Sequence, residues 1–461
     1  MNYDLYKAAI SKYVLPLLSL PNDVELKFQK FKKNNKVSGQ TRILKYGNEF
    51  RFITSSSNKR IQGYFVCKIP SVTINYNIKK GNDVFQELNK ANILMEHYKV
   101  TEAQYFRICD CFYETGICKR FFPSKDARLV QELLNAIIKW STKKDEGDNI
   151  SLSFIIDRQE FDGNALKQYT KFLEDHQASA VLTDNNVAVE FSKDGYKLIN
   201  LCDVKDDDKT KDDDENKGDD KNKGDDKKKG DDKKKRERVN FVPMSLLNLS
   251  KYCDKNKLGI VLNEQNDILF INDGNIEFAR REGEWTTFDY DLFRSLCKTT
   301  LPGISTDLIK QIFVSVVDVA FAHCGGSIII VDDDLATRLG GKYVAKSDLL
   351  ATNPADIKEE YKRERLVVFK NLINDKTFCE IDAYKRSEFL GIDGAMVIDI
   401  NGKILSVGAI LQKCAESGSG ARTATMKGLS KKEKGHCISI KISADGYISV
   451  YIADKERLHI K

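Results

Sequence analysis

The sequence contains no long apolar run and no pattern typical of a secreted protein. Its strongest apolar run, "SIIIV" at 327–331, is far shorter than the roughly 18 residues that a membrane-spanning helix needs. The first residues, "MNYDLYKAAISKY", lack a positively charged start followed by an apolar stretch, so no signal peptide is expected. The eleven cysteines are scattered and form no C-x-x-C pair. These absences predict a cytoplasmic protein without a membrane partner.

The cysteines also give little indication of a metal centre. Cys109, Cys111 and Cys118 are close in sequence, but their spacing lacks a C-x-x-C pair and a fourth nearby ligand. We therefore expect buried free thiols on a helix and its following turn. Metal binding by these three cysteines is the alternative.

The composition predicts a globular protein with one unusually charged segment. The chain has 461 residues, of which 41% are hydrophobic and 31% are charged. This length suggests about two to three domains. The formal net charge of +6 is modest, so nucleic-acid binding would require the basic residues to gather on one face.

The charge is concentrated between residues 203 and 238. This segment has 15 acidic and 14 basic residues and no apolar side chain larger than that of Val204, so it cannot form a core. Its six-residue period, "KGDDKN KGDDKK KGDDKK", is too short for a structural repeat. The sequence therefore predicts a low-complexity linker at 203–238, between an N-terminal unit at 1–202 and a C-terminal unit at 239–461.

Both units mix helical and strand patterns. In the N-terminal unit, the helical pattern "DLYKAAISKYVLPLLSL" precedes alternating segments and further helical patterns, which predicts a separate α+β unit. In the C-terminal unit, "STDLIKQIFVSVVDVAFAHC" begins at the capping residue Ser305 and has an apolar face. The predicted class is α/β, of the α+β type. We expect the C-terminal sheet to be mixed, largely antiparallel, twisted and flanked by helices.

The C-terminal region predicts a buried strand and two hairpins. "GGSIIIVDDD" is a short β-branched run typical of a buried strand. "GAMVIDINGKILSVGAIL" turns at Asn401-Gly402, and "HCISIKISADGYISVYIAD" turns at Asp445-Gly446. The glycine-containing stretch 417–430, "SGSGARTATMKGLS", joins the two hairpins.

Two features of this region suit a nucleotide. Asp393 precedes Gly394 and Ala395 at a strand entrance, where small residues let a base or ribose approach the backbone. Its carboxylate can hold a divalent cation and accept a hydroxyl proton. The stretch 417–430 offers backbone amides, Arg422 and a helix start to phosphates. Because nucleotidyl transfer depends mainly on positioning and charge neutralisation, we expect Asp393 and Arg422 to converge across the sheet.

In this order, the motifs resemble the diadenylate cyclase domain, the module at the N-terminus of the DNA-integrity scanning protein. The resemblance covers about residues 300–455. It implies that Asp393 binds the metal and assists the 3′-hydroxyl of ATP, with Gly394 and Ala395 at the nucleoside. The second family motif, Gly-Thr-Arg-His-Arg, falls on residues 420–424. The implied phosphate-binding residues are Gly420, Ala421, Arg422 and Thr423, with Ser430 at the serine of the following Gly-x-Ser-Glu.

The resemblance also implies a reaction, a cofactor and an assembly. Two ATP molecules would condense into cyclic di-AMP with release of pyrophosphate, in the presence of Mg²⁺ or Mn²⁺. Because each of two active sites supplies one ATP, a single copy of the domain implies a homodimer or a higher homo-oligomer. Residues 1–202 would then act as a sensor or assembly unit.

Three positions differ from the family motifs and favour a second hypothesis. Thr423 replaces the histidine, Ala424 replaces the second arginine, and Lys431 replaces the glutamate, although Lys427 or Lys431 can supply a point charge. The alternative is a degenerate domain that holds a nucleotide or cyclic dinucleotide as a sensor, without turnover.

A third hypothesis, nucleic-acid binding, has the weakest support. The lysine-rich stretches "KKKRER" and "KGLSKKEKG" contain no interleaved aromatic residues that stack on bases. Nucleic acid is therefore not an expected partner.

Overall fold

The computed structural model describes residues 3–18, 24–30, 41–46, 49–55, 61–68, 78–95, 101–142, 144–145, 148–174, 186–203, 241–254, 256–412, 414 and 420–460. Apart from Asp203, the charged segment predicted at 203–238 lies outside these residues, so the linker stays a prediction. The part of the 417–430 stretch before Gly420 also lies outside them.

The described residues form both helices and strands, often in runs of one kind. The helices are α1 (Tyr3–Ala9), α2 (Ile78–Met95), α3 (Glu102–Phe121), α4 (Ser124–Trp140), α5 (Gly163–Glu174), α6 (Leu247–Tyr252), α7 (Tyr290–Thr300), α8 (Thr306–Phe321), α9 (Asp333–Arg338), α10 (Glu360–Ile373), α11 (Ala383–Gly391) and α12 (Ala421–Lys432). The strands are β1 (Lys27–Lys30), β2 (Arg42–Tyr46), β3 (Glu49–Ser55), β4 (Ile61–Lys68), β5 (Lys144–Asp145), β6 (Asp148–Asn149), β7 (Leu152–Asp157), β8 (Val187–Ser192), β9 (Gly195–Asn200), β10 (Lys257–Leu262), β11 (Ile268–Asn272), β12 (Asn275–Arg281), β13 (Glu284–Thr286), β14 (Gly326–Val331), β15 (Ala395–Asp399), β16 (Ile404–Ala409), β17 (Cys437–Ile442), β18 (Ile448–Ile452) and β19 (Lys455–Ile460). The fold is mixed α+β, as predicted.

The first strands form a four-stranded antiparallel sheet in the order β1-β4-β3-β2. Phe50 and Phe52 are alternate residues of β3, and both are buried. Phe52 packs edge-on against Phe85 of α2, with 5.6 Å between the ring centroids. The alternation in β3 therefore places one face of this sheet against the helices.

A seven-stranded sheet joins the two predicted units. Its order is β13-β12-β11-β10-β7-β8-β9, and β7 pairs with β10 in antiparallel register from Leu152 opposite Leu262 to Asp157 opposite Lys257. Strands β7 to β9 precede the charged segment, whereas β10 to β13 follow it. This topology differs from the predicted division, because residues on both sides of the segment share one sheet. Pairing between strands so far apart leaves no local signal in the sequence.

The C-terminal sheet has six strands in the order β16-β15-β14-β17-β18-β19. Strands β14 and β15 are parallel and the other neighbours are antiparallel, which confirms the mixed, largely antiparallel prediction. Ile328 and Ile330 of β14 face the core under α8 and α11, whereas Ile329 and Val331 face the core under α9 and α12. Both faces of β14 are therefore covered, which explains its continuous β-branched sequence.

Short-range predictions in this half of the chain are confirmed. The Ser305 hydroxyl accepts the backbone N–H of Leu308 at 3.1 Å and caps α8. The two hairpins turn at Gly402 and Gly446, which both have positive φ, of 83° and 79°. Such turns favour glycine because it has no side chain to clash in the left-handed region.

Arg281 links the two larger sheets from a fully buried position on β12. Its Nε donates to Asp267 Oδ2 at 3.1 Å, and its terminal nitrogens donate to the carbonyls of Gly446 at 2.6 Å and Ala320 at 2.9 Å. Its guanidinium carbon lies 4.6 Å from the ring centroid of Phe321. One side chain thus connects β12, the end of α8 and the turn between β17 and β18.

The three clustered cysteines all lie on α3. Cys109 and Cys118 are buried free thiols, as predicted, whereas Cys111 is exposed and none of the three lies in a following turn. Burial raises the pKa of the Cys109 thiol to about 12, which disfavours the thiolate that a metal site needs. Across the part of the chain that the structure describes, no helix is both long and apolar enough to cross a bilayer.

Candidate functional site

Asp393 lies in the short connection between α11, which ends at Gly391, and β15, which begins at Ala395. Its side chain is 90% exposed. The backbone N–H of Gly394 donates to Asp393 Oδ1 at 3.1 Å and fixes the direction of the carboxylate. The carboxylate is therefore both oriented and open to a ligand.

Arg422 approaches this carboxylate from the first turn of α12. The helix begins at Ala421, after Gly420 as the N-cap residue, and Arg422 Nη2 lies 3.0 Å from Asp393 Oδ1. Backbone N–H groups in the first turn of a helix have no partners within the helix, and they carry the positive end of its dipole. The two features that we expected to converge are thus in direct contact.

Gly325 forms the floor beneath the Arg422 side chain. It has a φ of +66°, and a Cβ built on it would lie 2.9 Å from Arg422 Nη1 and 3.3 Å from the backbone nitrogen of Ala444. A side chain at this position would displace the guanidinium. The turn between β17 and β18, represented by Ala444, therefore also borders the site, which the motif comparison did not indicate.

Gly394 and Gly408 allow β15 and β16 to approach each other closely beside Asp393. Gly394 has a φ of +105°, and a Cβ built on it would lie 2.5 Å from the carbonyl carbon of Gly408. The Ser327 hydroxyl donates to the Gly394 carbonyl at 2.6 Å. This packing fixes the peptide that follows Asp393, so the site is held by backbone as well as by side chains.

Arg365 is a second cation near the site that the sequence did not reveal. It lies on α10, and its Nη2 donates to the carbonyls of Val407 at 3.1 Å and Gly408 at 2.6 Å. A Cβ built on Gly408 would lie 2.4 Å from this nitrogen and 3.0 Å from the carbonyl oxygen of Asp393. An isolated arginine in a helical pattern carries no signal of such a contact.

The other predicted residues divide into two groups. Gly420 and Ala421 are exposed and Thr423 is half-buried in the first turn of α12, whereas Ala395 is buried at the start of β15. Ser430 is fully buried, and its hydroxyl donates to the carbonyl of Lys427 at 2.9 Å. The structure does not bring Ser430 to Asp393. It follows Arg422 by eight residues, which corresponds to about 12 Å along the helix axis.

The positions that differ from the family motif leave one guanidinium in the first turn of α12. Ala424 is buried, so its side chain faces the core rather than the site. Lys427 and Lys431 are exposed on later turns of the helix. A triphosphate bound at Arg422 would therefore depend on one arginine and the helix N-terminus for its positive environment.

A buried carboxylate holds the other end of α12. Glu433 accepts from Arg338 Nη1 at 2.6 Å and from Lys342 Nζ at 2.7 Å. Burial of Glu433 opposes its charge, but hydrogen bonds from Lys342, Tyr343 and Arg338 outweigh burial and lower its pKa to about 2. This ion-pair group ties the helix that carries Arg422 to the segment after α9.

Asp393 has the properties of a ligand for Mg²⁺ or Mn²⁺. Such ions are often bound by one or two carboxylates together with substrate phosphates, and Asp393 Oδ2 makes no hydrogen bond within the described residues. A separate group, Asp332, Asp334 and His436, lies at the opposite end of β14. There Asp332 caps α9 and contacts His436 Nδ1 at 2.7 Å, which gives it a structural role.

The similarity of this chain to known proteins is limited to structure. No protein-family model and no curated protein matches it. It is similar to the crystal structure of a double cysteine mutant of DacA from Staphylococcus aureus, at 17% identity, over 32% of this chain and 84% of that chain. The TM-score is 0.20, so the similarity carries no argument about function.

Proposed function

We propose that the site at Asp393 and Arg422 binds a nucleoside triphosphate, most simply ATP, and that the chain is a nucleotidyltransferase of the diadenylate cyclase type. The contact of 3.0 Å between the two side chains carries the proposal, because it places an oriented carboxylate at the positive end of α12. Gly325 and Gly394 keep the surrounding backbone free of side chains. Together these groups supply phosphate binding and proton transfer in one place.

The proposed reaction makes a phosphodiester and releases pyrophosphate. The 3′-oxygen of one nucleotide bonds to the α-phosphorus of another, and the bond from that phosphorus to the bridging oxygen of pyrophosphate breaks. Asp393 accepts the proton of the 3′-hydroxyl, while Arg422 and the first-turn amides of α12 hold the phosphates. A bound divalent cation would neutralise phosphate charge. Two copies of the chain, each holding one nucleotide, would complete a cyclic dinucleotide.

The test is product formation from ATP and Mn²⁺, followed by mass spectrometry. We expect cyclic di-AMP from the native chain and at least about 100-fold less from Asp393→Asn, because a positioned proton acceptor contributes on that order. Asp194→Asn is a matched control: Asp194 also precedes a glycine of positive φ, but it lies at the exposed β8–β9 turn. Equal product from Asp393→Asn and the native chain would disprove the assigned role of Asp393.

The geometry also supports a second function, nucleotide sensing without turnover. Arg422 already contacts Asp393, and the described first turn of α12 has no second guanidinium. The Asp393 carboxylate and the Arg422 guanidinium can therefore both be occupied in holding a nucleotide, without catalysing a reaction. Calorimetry with ATP would detect this function. Binding of ATP by the native chain, loss of binding in Arg422→Met and absence of product together identify a sensor.

A further inference from the structure

A cavity of about 700 Å³ lies between the seven-stranded sheet and helices α8 and α11. Its walls come from three places: the segment before α6, the turn between β10 and β11, and helices α8 and α11. This volume falls within the roughly 300–1,000 Å³ of typical small-molecule sites, which often lie where two structural units meet.

The cavity is separate from the Asp393–Arg422 site. It opens on the side of the C-terminal sheet that α8 and α11 cover, whereas α12 and Arg422 lie on the other side. Neither Asp393 nor Arg422 lines it. It nevertheless ends at Cys324 and Ile392, which directly precede Gly325 and Asp393 in the chain.

The negative charge of the cavity lining favours cationic ligands. Three carboxylates, those of Glu264, Asp318 and Glu388, line the cavity, and no lysine, arginine or histidine does so among the described residues. An excess of carboxylates in a cleft with low-dielectric walls attracts cations and repels phosphates. The cavity therefore does not suit a nucleotide.

The remaining lining adds an apolar surface and a fixed carboxylate. Val319 and Phe321 are buried side chains of α8 that form part of the wall. Asp318 Oδ1 accepts the backbone N–H of Met244 at 3.0 Å, which holds this carboxylate in place on the wall.

We propose that this cavity binds an organic cation: an apolar, ring-containing molecule with an ammonium group placed against Asp318. The apolar wall buries the ring, and the carboxylate pairs with the ammonium. This binding function goes beyond the proposed nucleotidyl transfer and does not depend on it.

The experiment uses two fluorescent probes of similar size and opposite charge. Dansylcadaverine carries an ammonium, and dansyl-6-aminohexanoate carries a carboxylate. We expect dansylcadaverine fluorescence to increase on binding to the full chain, with an affinity at least about tenfold higher than that of the anionic probe. Equal affinities, or no binding of dansylcadaverine, would overturn the proposal.

The position of the bound probe is checked by alkylation of cysteines with iodoacetamide and peptide mass spectrometry. Cys324 is an exposed thiol in the cavity lining, and Cys202 is an exposed thiol outside that lining, after β9. Saturating dansylcadaverine should slow alkylation of Cys324 at least about fivefold and leave Cys202 unchanged. Equal protection of both thiols, or of neither, would place the probe elsewhere.

Two substitutions on α8 test the charge. Asp318→Asn keeps an acceptor for Met244 and removes the negative charge, so dansylcadaverine affinity should fall about tenfold. Asp307→Asn removes an exposed carboxylate at the start of the same helix, outside the cavity lining, and should leave the affinity unchanged. Native affinity in Asp318→Asn would contradict the assigned contact.

Discussion

Replacing Arg281 with methionine removes the buried cation that links the seven-stranded sheet to the C-terminal sheet. The Arg281 side chain is fully buried, and its partner Asp267 is only 2% exposed. Methionine is similar in length but offers no hydrogen-bond donor. The Arg281→Met variant therefore removes one donor each from the Asp267 carboxylate and from the carbonyls of Gly446 and Ala320. Asn263 Nδ2 still donates to Asp267 at 3.4 Å, and the backbone N–H of His323 still donates to the Ala320 carbonyl at 3.4 Å.

The expected loss of stability follows from the loss of these hydrogen bonds and of the buried ion pair. Removing one partner of a buried ion pair costs about 3–5 kcal/mol, because the remaining charge stays buried. The Gly446 carbonyl, which accepts no other hydrogen bond within the described residues, adds about 1 kcal/mol or more unless water reaches it. The remaining contact of Asn263 Nδ2 with Asp267 Oδ2 offsets part of this cost. We expect a net loss of at least about 3 kcal/mol in the free energy of unfolding.

The assay is urea denaturation followed by tryptophan fluorescence. Trp285 on β13 reports on the same sheet and is 9% exposed. Arg294→Met is the control, since Arg294 forms an exposed pair with Asp291 at 2.9 Å, and we expect it to lose less than about 1 kcal/mol. The double variant Arg281→Met with Asp267→Leu should recover much of the loss, because neither charge is then buried alone.

Two outcomes would refute this reasoning. If Arg281→Met unfolds within about 1 kcal/mol of the native chain, the buried donor contacts do not hold the two sheets together. If the double variant is less stable than Arg281→Met, the uncompensated Asp267 charge is not the source of the loss.

The remaining predictions concern the supports of the candidate site. The folded-state pKa of Glu433, about 2, lies below its ordinary value of 4.5, so its stabilisation is present above pH 4.5 and is lost as the pH falls through about 2. Because Arg338 and Lys342 are partly exposed, Glu433→Gln should lower the free energy of unfolding by only about 1–2 kcal/mol at pH 7. The variant should also show a smaller decline in the free energy of unfolding between pH 5 and 2. A decline equal to that of the native chain would contradict this prediction. Gly394→Ala should lower the free energy of unfolding by about 2 kcal/mol more than Gly195→Ala does. The two glycines share a φ near +100°, but only the Cβ at 394 meets backbone atoms, at 2.5 Å; equal losses in thermal denaturation would exclude the clash.

Local chemistry explains which parts of the fold could be predicted from the sequence. Asn401-Gly402 and Asp445-Gly446 specify tight turns, and Ser305 specifies a helix start, because in each case the residues that interact are within a few positions of one another. The continuous β-branched run of β14 likewise indicates burial on both faces from consecutive residues alone. These elements were therefore confirmed.

Long-range geometry explains what the sequence did not reveal. The pairing of β7 with β10 and the contacts of Arg365 with β16 depend on the whole fold, as does the cavity beside α8. The contact of Asp393 with Arg422 could be predicted because the order of two hairpins and one helix constrains where their ends meet. The motif alone predicts Ser430 at the phosphates, but the helical period of α12 turns its side chain towards the core.

The antiparallel pair β7–β10 changes what the charged segment does. Each strand supplies the hydrogen-bonding edge that the other requires, so a protein made as two polypeptides divided within residues 204–240 would form this sheet only as a heterodimer. In the native chain both strands belong to one polypeptide, so their pairing is intramolecular. Covalent continuity therefore keeps the two halves of this sheet at a fixed one-to-one ratio.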